Sequence, residues 1–222
     1  MKIGFIGLGN VGSKLAGSLC RNGFELFVRD LNRDIAQPLI EQGAVWGNSP
    51  REIAEHVDMV ITCLPNPVAS AEVMEADEGI LAGLTPGKLW AEMSTTDEVE
   101  VKRLGQRVID NGAEPIDCPV SGGCHRAATG NISIFVGTER STFEKAFPVI
   151  RAMGRRILYT GPLGSASILK VVTNYLASVN LVAIGEAMMT ANCAGIDLST
   201  TYEAIRISSG NSFVHETEGQ VI

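Results

Sequence analysis

Three glycines are spaced for phosphate chemistry near the start of the chain: Gly7-Leu8-Gly9-Asn10-Val11-Gly12 follows the apolar run Ile3-Gly4-Phe5-Ile6. Gly7 permits a tight turn after a strand, and Gly9 lets backbone amides approach a pyrophosphate with no Cβ in the way. Gly12 lets a helix pack close to that strand, and Leu8, Asn10 and Val11 complete the loop. The phosphates would then rest on the positive end of the helix. Glycine-rich turns are common, so the context has to carry the reading. A second strand, Phe24 to Val28, leads to Asp30, about 20 positions on, where a carboxylate can hold the two adenosine ribose hydroxyls of a dinucleotide. A carboxylate repels a 2′-phosphate, which favours NAD over NADP. Arg29 and Arg33 keep NADP possible, although each also reads as a solvated surface arginine.

Other residues have two readings. Ser121-Gly122-Gly123 is either a flexible turn after a strand or a small anion nest of backbone amides and a hydroxyl. Cys124-His125-Arg126 follows it; sequence neighbours rarely face each other, so a thiol–imidazole nucleophile is the weaker idea, and Arg126 could add charge to an anion site. Lys170 and Asn174 are four apart, which puts both on one helix face. Taken alone, Lys170 reads as a snorkelling surface lysine. Desolvation beside a cofactor would instead lower its pKa toward the range of a proton acceptor and donor.

These groups need a scaffold. From Met1 to about Gly161, short apolar runs alternate with helical stretches, the rhythm of a doubly wound α/β sheet. Helices are expected at Ser13 to Asn22, Arg33 to Gln42, from Ser49-Pro50, at Thr96 to Asn111 and at Ser141 to Met153. Strands are expected at Asp58 to Leu64, Leu89 to Met93, Glu114 to Cys118, Ile132 to Val136 and Ile157 to Thr160. The loop Cys63-Leu64-Pro65-Asn66-Pro67 falls at the carboxyl edge of the sheet, where ligands bind. Thr95 and Thr96 fit a helix cap before Glu98. After Gly161-Pro162-Leu163-Gly164 the texture changes. Ser165 to Ala194 is a long run of helix formers, apolar on most sides and therefore expected to be buried on most sides, against the first domain and a second subunit. Lys170, Asn174, Asn180, Glu186 and Asn192 interrupt it, so no membrane span is expected. The boundary divides a domain of residues 1–161 from a helical one of residues 162–222.

Composition narrows the classes. The chain has 222 residues and a formal charge of −7, with no basic stripe, so nucleic acid is an unexpected partner. No charged leader and cleavage site open it, and Cys20, Cys63, Cys118, Cys124 and Cys193 form no CxxC pair. Reduced thiols and a cytoplasmic location follow as expectations. No His/Cys cluster has ligand spacing, so no metal is expected.

Five blocks in order, GFIGLGNVG, CLPNP, EMSTT, DCPVSGG from Asp117 to Gly123 and GPLGSASILKVVTN from Gly161 to Asn174, resemble the signatures of the β-hydroxyacid dehydrogenase family, the group of 3-hydroxyisobutyrate dehydrogenase, tartronate semialdehyde reductase and relatives of 6-phosphogluconate dehydrogenase. The resemblance implies a Rossmann-type domain followed by an all-helical one, and hydride transfer between NAD and a small 3-hydroxy acid such as 3-hydroxyisobutyrate. It places Lys170 on the general acid/base and Asn174 on a substrate-binding asparagine. Ser121, Gly122 and Gly123 fall on the loop that holds the substrate, and Leu64, Pro65 and Thr95 on cofactor contacts. A homodimer or homotetramer through the long helix is expected with it.

Two departures bear on substrate choice: Ala166 stands where the family usually has glycine, and Tyr175 follows Asn174 where many members have a second asparagine. Family members also usually continue beyond a position equivalent to Ile222. Gly210-Asn211-Ser212-Phe213 reads as a loop, and Gly219-Gln220-Val221-Ile222 shows no evident cap, so the second domain is expected to be shortened. Alternative readings are an NADPH-dependent reductase of small semialdehydes (tartronate semialdehyde, glyoxylate or succinate semialdehyde), and a catalytically silent dinucleotide-binding oligomerisation module.

Overall fold

The computed structural model describes residues 1–219 and divides into two compact units, Met1–Lys170 and a second beginning at Val171. The first unit opens with β1 (Lys2–Ile6), α1 (Gly12–Arg21), β2 (Glu25–Arg29), a 3-10 turn (Arg33–Ala36), α2 (Gln37–Ile40), β3 (Val45–Trp46) and α3 (Pro50–His56). It continues with β4 (Met59–Thr62), α4 (Pro67–Glu75), α5 (Ile80–Gly83), β5 (Leu89–Glu92), α6 (Glu98–Asp110) and β6 (Glu114–Asp117). Then come β7 (Val120–Ser121), α7 (Gly123–Ala128), β8 (Ser133–Gly137), α8 (Arg140–Met153), β9 (Arg156–Gly161) and the start of α9 (Ser165–Cys193).

The strands form one sheet in the order β3-β2-β1-β4-β5-β6-β8-β7, with β9 beside β8. Strands β1 to β6 run parallel; β8 is antiparallel to β6 and β7, and β9 is parallel to β8. Alternation along the strands sorts the core into two layers. Ile3, Phe5, Met59, Ile61, Leu89 and Ala91 face the side covered by Leu15 and Leu19 of α1 and Val149 and Ile150 of α8. Ile6, Val60 and Trp90 face the other, with Ile53 of α3 and Leu104 and Val108 of α6. Both neighbours of β1 lie on opposite sides in chain order, β2 and β4, so the strand order reverses there. That reversal opens a crevice at the carboxyl ends.

The sheet and its flanking helices match the expected Rossmann-type architecture, with local differences. Instead of one helix from Arg33 to Gln42, the chain forms the 3-10 turn and the single turn of α2. The Asn32 side chain accepts from the Asp34 amide and starts the tighter turn, and Pro38 contributes no backbone donor. The cap of α6 is Asp97, not Thr95 or Thr96: its carboxylate accepts from the Glu100 amide at 2.8 Å. The short elements β3, α4, α5, β7 and α7 lie in stretches whose periodicity was too brief to assign. Arg103 of α6 grips the Glu75 carboxylate with two 2.8 Å hydrogen bonds, tying α4 to α6 and holding that carboxyl below its usual range.

Helix α9 is covered only in part by its own chain. Val171, Tyr175, Leu176 and Val182 are more than half exposed, whereas Ile184 and Met188, one turn apart, are buried. Its apolar residues surround the whole helix, and packing within the chain covers only part of that circumference. By length and a mean hydropathy of 1.5 over its most apolar stretch it is long and apolar enough to cross a membrane, though Lys170, Asn174, Asn180 and Glu186 interrupt it. The second unit adds α10 (Leu198–Arg206) and α11 (Phe213–Glu218), capped by Asp197 and Ser212. The expected loop at Gly210 to Phe213 is a turn that ends where α11 begins at Phe213. His215 of α11 is buried against Tyr202, with Nε2 3.0 Å from the Tyr202 carbonyl oxygen. Of the uncapped ending expected at Gly219 to Ile222, Gly219 closes α11 with its amide donating to the His215 carbonyl at 3.0 Å, and residues 220–222 lie outside the described residues.

Candidate functional site

A cleft of about 770 Å³ lies at the carboxyl ends of β1, β2, β4 and β5. Gly7, Gly9, Asn10, Val11 and Gly12 line it from the β1–α1 turn, and Arg29, Asp30 and Leu31 from the end of β2. Cys63, Leu64 and Pro65 contribute from just after β4, Ser94 and Thr95 from just after β5, and Val120 of β7 also lines it. Nearly all the residues expected to contact a cofactor therefore share one wall system.

The three glycines differ in what surrounds them. At Gly7, φ is +96° and a Cβ would lie 2.3 Å from the Cys63 carbonyl oxygen; at Gly12 it would lie 2.0 Å from the Gly7 carbonyl oxygen. These two glycines let the backbone fit against itself. A Cβ on Gly9 meets no atom of the chain within 4 Å and would project into the cleft. The space at Gly9 is open toward the cleft, as the approach of a pyrophosphate would require.

Asp30 has a second task that sequence reasoning missed. Its Oδ2 accepts from the Leu8 amide at 2.7 Å and its Oδ1 from the Asn32 amide at 3.1 Å. Leu8 is buried and its N–H is spent on Asp30, so it braces the loop from behind instead of lining the cleft. The remaining lone pairs of Asp30 are available to ribose hydroxyls. Both arginines that could meet a 2′-phosphate stack on one indole: the guanidinium carbons of Arg29 and Arg33 lie 5.7 and 5.6 Å from the Trp46 ring centroid. Arg29 also donates to the Gly47 carbonyl.

Beneath the β4 and β5 loops lies a fully buried carboxyl. Glu92 Oε1 accepts from the Ser94 amide at 2.8 Å, and Ser94 Oγ accepts from the Leu64 amide at 2.7 Å, so one chain of hydrogen bonds joins the two cleft-lining loops. Burial raises the Glu92 pKa above the ordinary carboxylate range, against the hydrogen bonds from Ser94 that work to lower it. Burial also pushes the Cys63 thiol up to about 12, which makes it a poor nucleophile. Because the folded pKa of Glu92 is raised, folding favours its protonated form. Its contribution is complete at pH below the unfolded carboxylate pKa and is lost as pH rises from there through the folded value. Glu92→Gln is expected to remove that segment of the stability–pH curve and to be relatively more stable at pH 8 than at pH 4, measured by thermal unfolding across pH. A wild-type slope retained in the variant would contradict it.

Ser121, Gly122 and Gly123 follow Val120 directly, turning the chain from β7 into α7, and Arg126 is partly buried beside them, its Cδ 3.0 Å from where a Gly122 Cβ would sit. Cys124 and His125 are exposed. Lys170 is half-buried in the second turn of α9, and burial lowers its pKa from the ordinary lysine value. Asn174 stands one turn further along the same helix and is exposed. Ala166 is fully buried in the first turn. Among the described residues no group of three or more His, Cys, Asp or Glu side chains is arranged to hold a metal ion.

A phosphate-cradling glycine turn, an acidic residue at the end of the second strand and a crevice at the strand-order reversal define a Rossmann-type dinucleotide-binding protein. Residues 2–161 match the family model described as the NAD binding domain of 6-phosphogluconate dehydrogenase, and residues 164–222 match NAD-binding of NADP-dependent 3-hydroxyisobutyrate dehydrogenase. The chain is 34% identical over 219 residues to the mitochondrial 3-hydroxyisobutyrate dehydrogenase of Rattus norvegicus, covering 99% of this chain and 65% of that protein. It is 34% identical to the NAD-dependent L-serine dehydrogenase of Pseudomonas aeruginosa, covering 97% of this chain and 72% of that one. The solved 3-hydroxyisobutyrate dehydrogenase of Mycobacterium tuberculosis with L-serine superimposes with a TM-score of 0.89 at 28% identity, covering 97% and 73% of the two chains. The chain belongs to the β-hydroxyacid dehydrogenase family. It spans about 65% of the length of the mammalian 3-hydroxyisobutyrate dehydrogenases it matches.

Proposed function

We propose that this chain takes part in reversible hydride transfer between NAD and the hydroxyl carbon of a small 3-hydroxy acid, with Lys170 as general acid/base. The observation that carries the reading is the cleft itself: open at Gly9, closed at Gly7 and Gly12, and lined by Asp30. Bound there, NAD supplies the hydride acceptor. The loop amides and the α1 N-terminus hold the pyrophosphate, Asp30 takes the ribose hydroxyls, and Leu64, Pro65 and Thr95 bound the nicotinamide end. Ser121, Gly122 and Gly123 hold the substrate carboxylate and hydroxyl, with Asn174 assisting. As the alcohol is oxidised, Lys170 in its neutral form takes the hydroxyl proton; in the reverse direction its ammonium returns it. A lysine with a lowered pKa suits both directions. The relatives named for 3-hydroxyisobutyrate and L-serine support a small substrate with a hydroxyl two carbons from a carboxylate.

NAD is the preferred cofactor in this reading, since Asp30 repels a 2′-phosphate while Trp46 engages both nearby guanidinium groups. Steady-state turnover with each cofactor is expected to give kcat/KM at least about tenfold higher for NAD than for NADP. Equal values would remove the NAD preference, and a preference for NADPH with semialdehydes would support the reductase alternative; the second family model is described by an NADP-dependent 3-hydroxyisobutyrate dehydrogenase. Self-association through the exposed apolar side chains of α9 belongs to the same proposal, and light scattering reads it directly.

A further inference from the structure

We propose that Asp117 is the positioning residue for Lys170: its carboxylate, at the end of β6, caps the first turn of α9 and fixes where the lysine stands. The inference rests on the general acid/base role proposed above. Asp117 is fully buried, and so is Ser167. Ser167 donates to it twice, from the amide at 2.8 Å and from Oγ at 2.7 Å. The backbone amides of Ala166 and Gly164 also act on this carboxyl. A helix leaves its first amides without partners inside the helix. Here the Ser165 amide turns to the Pro162 carbonyl and the Ile168 amide to that of Gly164, and that of Ser167 goes to Asp117. The cap therefore comes from another strand, 50 residues earlier in the chain.

Its position makes it a joint. Ser167 and Lys170 are three residues apart on α9, which places them on one helix face. In the other direction, Asp117 leads through Cys118-Pro119-Val120 into Ser121, and the Cys118 amide is fastened to the Glu92 carbonyl at 2.7 Å. One buried carboxylate thus sets the helix of the proposed proton carrier against the strand end that feeds the proposed substrate loop. A displacement of about 1 Å at a proton-transferring group is enough to slow a reaction by up to about a hundredfold. The full first turn is also packed tightly: Thr160 and Ser165 share a 2.7 Å hydroxyl contact, and a Cβ on Gly137 would lie 2.8 Å from Ser165 Oγ. Asp117 therefore has little slack to distribute elsewhere when its bonds are lost.

The test compares Asp117→Asn and Ser167→Ala in the full chain with wild type, each also made in a Lys170→Ala background, by NAD-linked turnover of small 3-hydroxy acids, NAD binding and thermal unfolding. Expected is a fall in kcat of about tenfold or more with NAD affinity unchanged, and little further loss when either change is added to Lys170→Ala, because groups that act as a unit do not add. Wild-type kcat in a folded Asp117→Asn or Ser167→Ala would overturn the proposal, as would the same fractional loss with and without Lys170. If Asp117→Asn does not fold, Ser167→Ala carries the same comparison. A Lys170→Ala protein as active as wild type would remove the reading on which the proposal rests. An inactive Lys170→Ala with normal Asp117 and Ser167 variants would remove this proposal alone.

Discussion

Lys170→Ala is expected to lower turnover by about 10²- to 10⁴-fold while NAD affinity stays within about twofold. The magnitude follows from removing the proposed proton carrier, whose loss leaves the proposed cofactor cleft and substrate loop intact. The lining of that cleft does not include Lys170, so cofactor binding should not register the change. The pH dependence gives the claim a sign. Burial lowers the Lys170 pKa, so the neutral amine is populated at lower pH than an ordinary lysine allows. Oxidation of the alcohol needs that neutral form, so its rate should rise with pH through the lowered pKa, while reduction, which needs the ammonium, should fall through it. Lys170→Arg keeps a cation that does not deprotonate and should be nearly as impaired as alanine. A Lys170→Arg enzyme with wild-type kcat would show that charge, and not proton transfer, is what the position supplies.

The second large effect separates two glycines of the same turn. Gly7→Ala forces a Cβ to within 2.3 Å of the Cys63 carbonyl oxygen at a φ of +96°, where an L residue is strained. A loss of about 2–4 kcal/mol in unfolding free energy is expected, enough to leave a marginal domain poorly folded. Gly9→Ala meets no atom of the chain within 4 Å, so its melting temperature should be unchanged. The added methyl instead occupies the approach of the pyrophosphate, and NAD affinity should fall by about tenfold or more. Thermal unfolding and isothermal titration of the two variants read both effects. A Gly9→Ala protein that binds NAD as wild type does would contradict the assignment of the cleft.

Much of this architecture was legible because single strands announce themselves. Leu89 to Glu92 and Met59 to Thr62 are buried on both faces, and their first three residues, Leu89 to Ala91 and Met59 to Ile61, appear as continuous apolar runs. The parallel half of the sheet follows from such runs alternating with helical stretches. The glycine spacing and Asp30 pointed to residues that line one cleft, because that pattern is local in sequence. What was not legible depends on contacts across the chain. Nothing near Glu92 says that its carboxyl is buried under two loops, and nothing near Asp117 says that it caps a helix that begins 48 positions later at Ser165. Asp30 was read for its ligand and not for its bond to Leu8, because the loop's return over the strand end is a tertiary fact. Helix α9 is a different case. An apolar circumference shows that burial is needed but not what supplies it, and many of its apolar side chains are exposed in this chain.

The central claim is direct hydride transfer in the cleft that Gly7, Gly9, Gly12 and Asp30 define. The measurement that tests it most directly is to incubate the protein with NAD and small 3-hydroxy acids carrying deuterium on the hydroxyl carbon, then weigh the recovered nicotinamide by mass spectrometry. The account predicts deuterium on the reduced nicotinamide ring with at least one acid of the panel, and none with Lys170→Ala over the same time. Tight NAD binding with no deuterium transferred from any acid would contradict it and leave a dinucleotide-binding module without this chemistry.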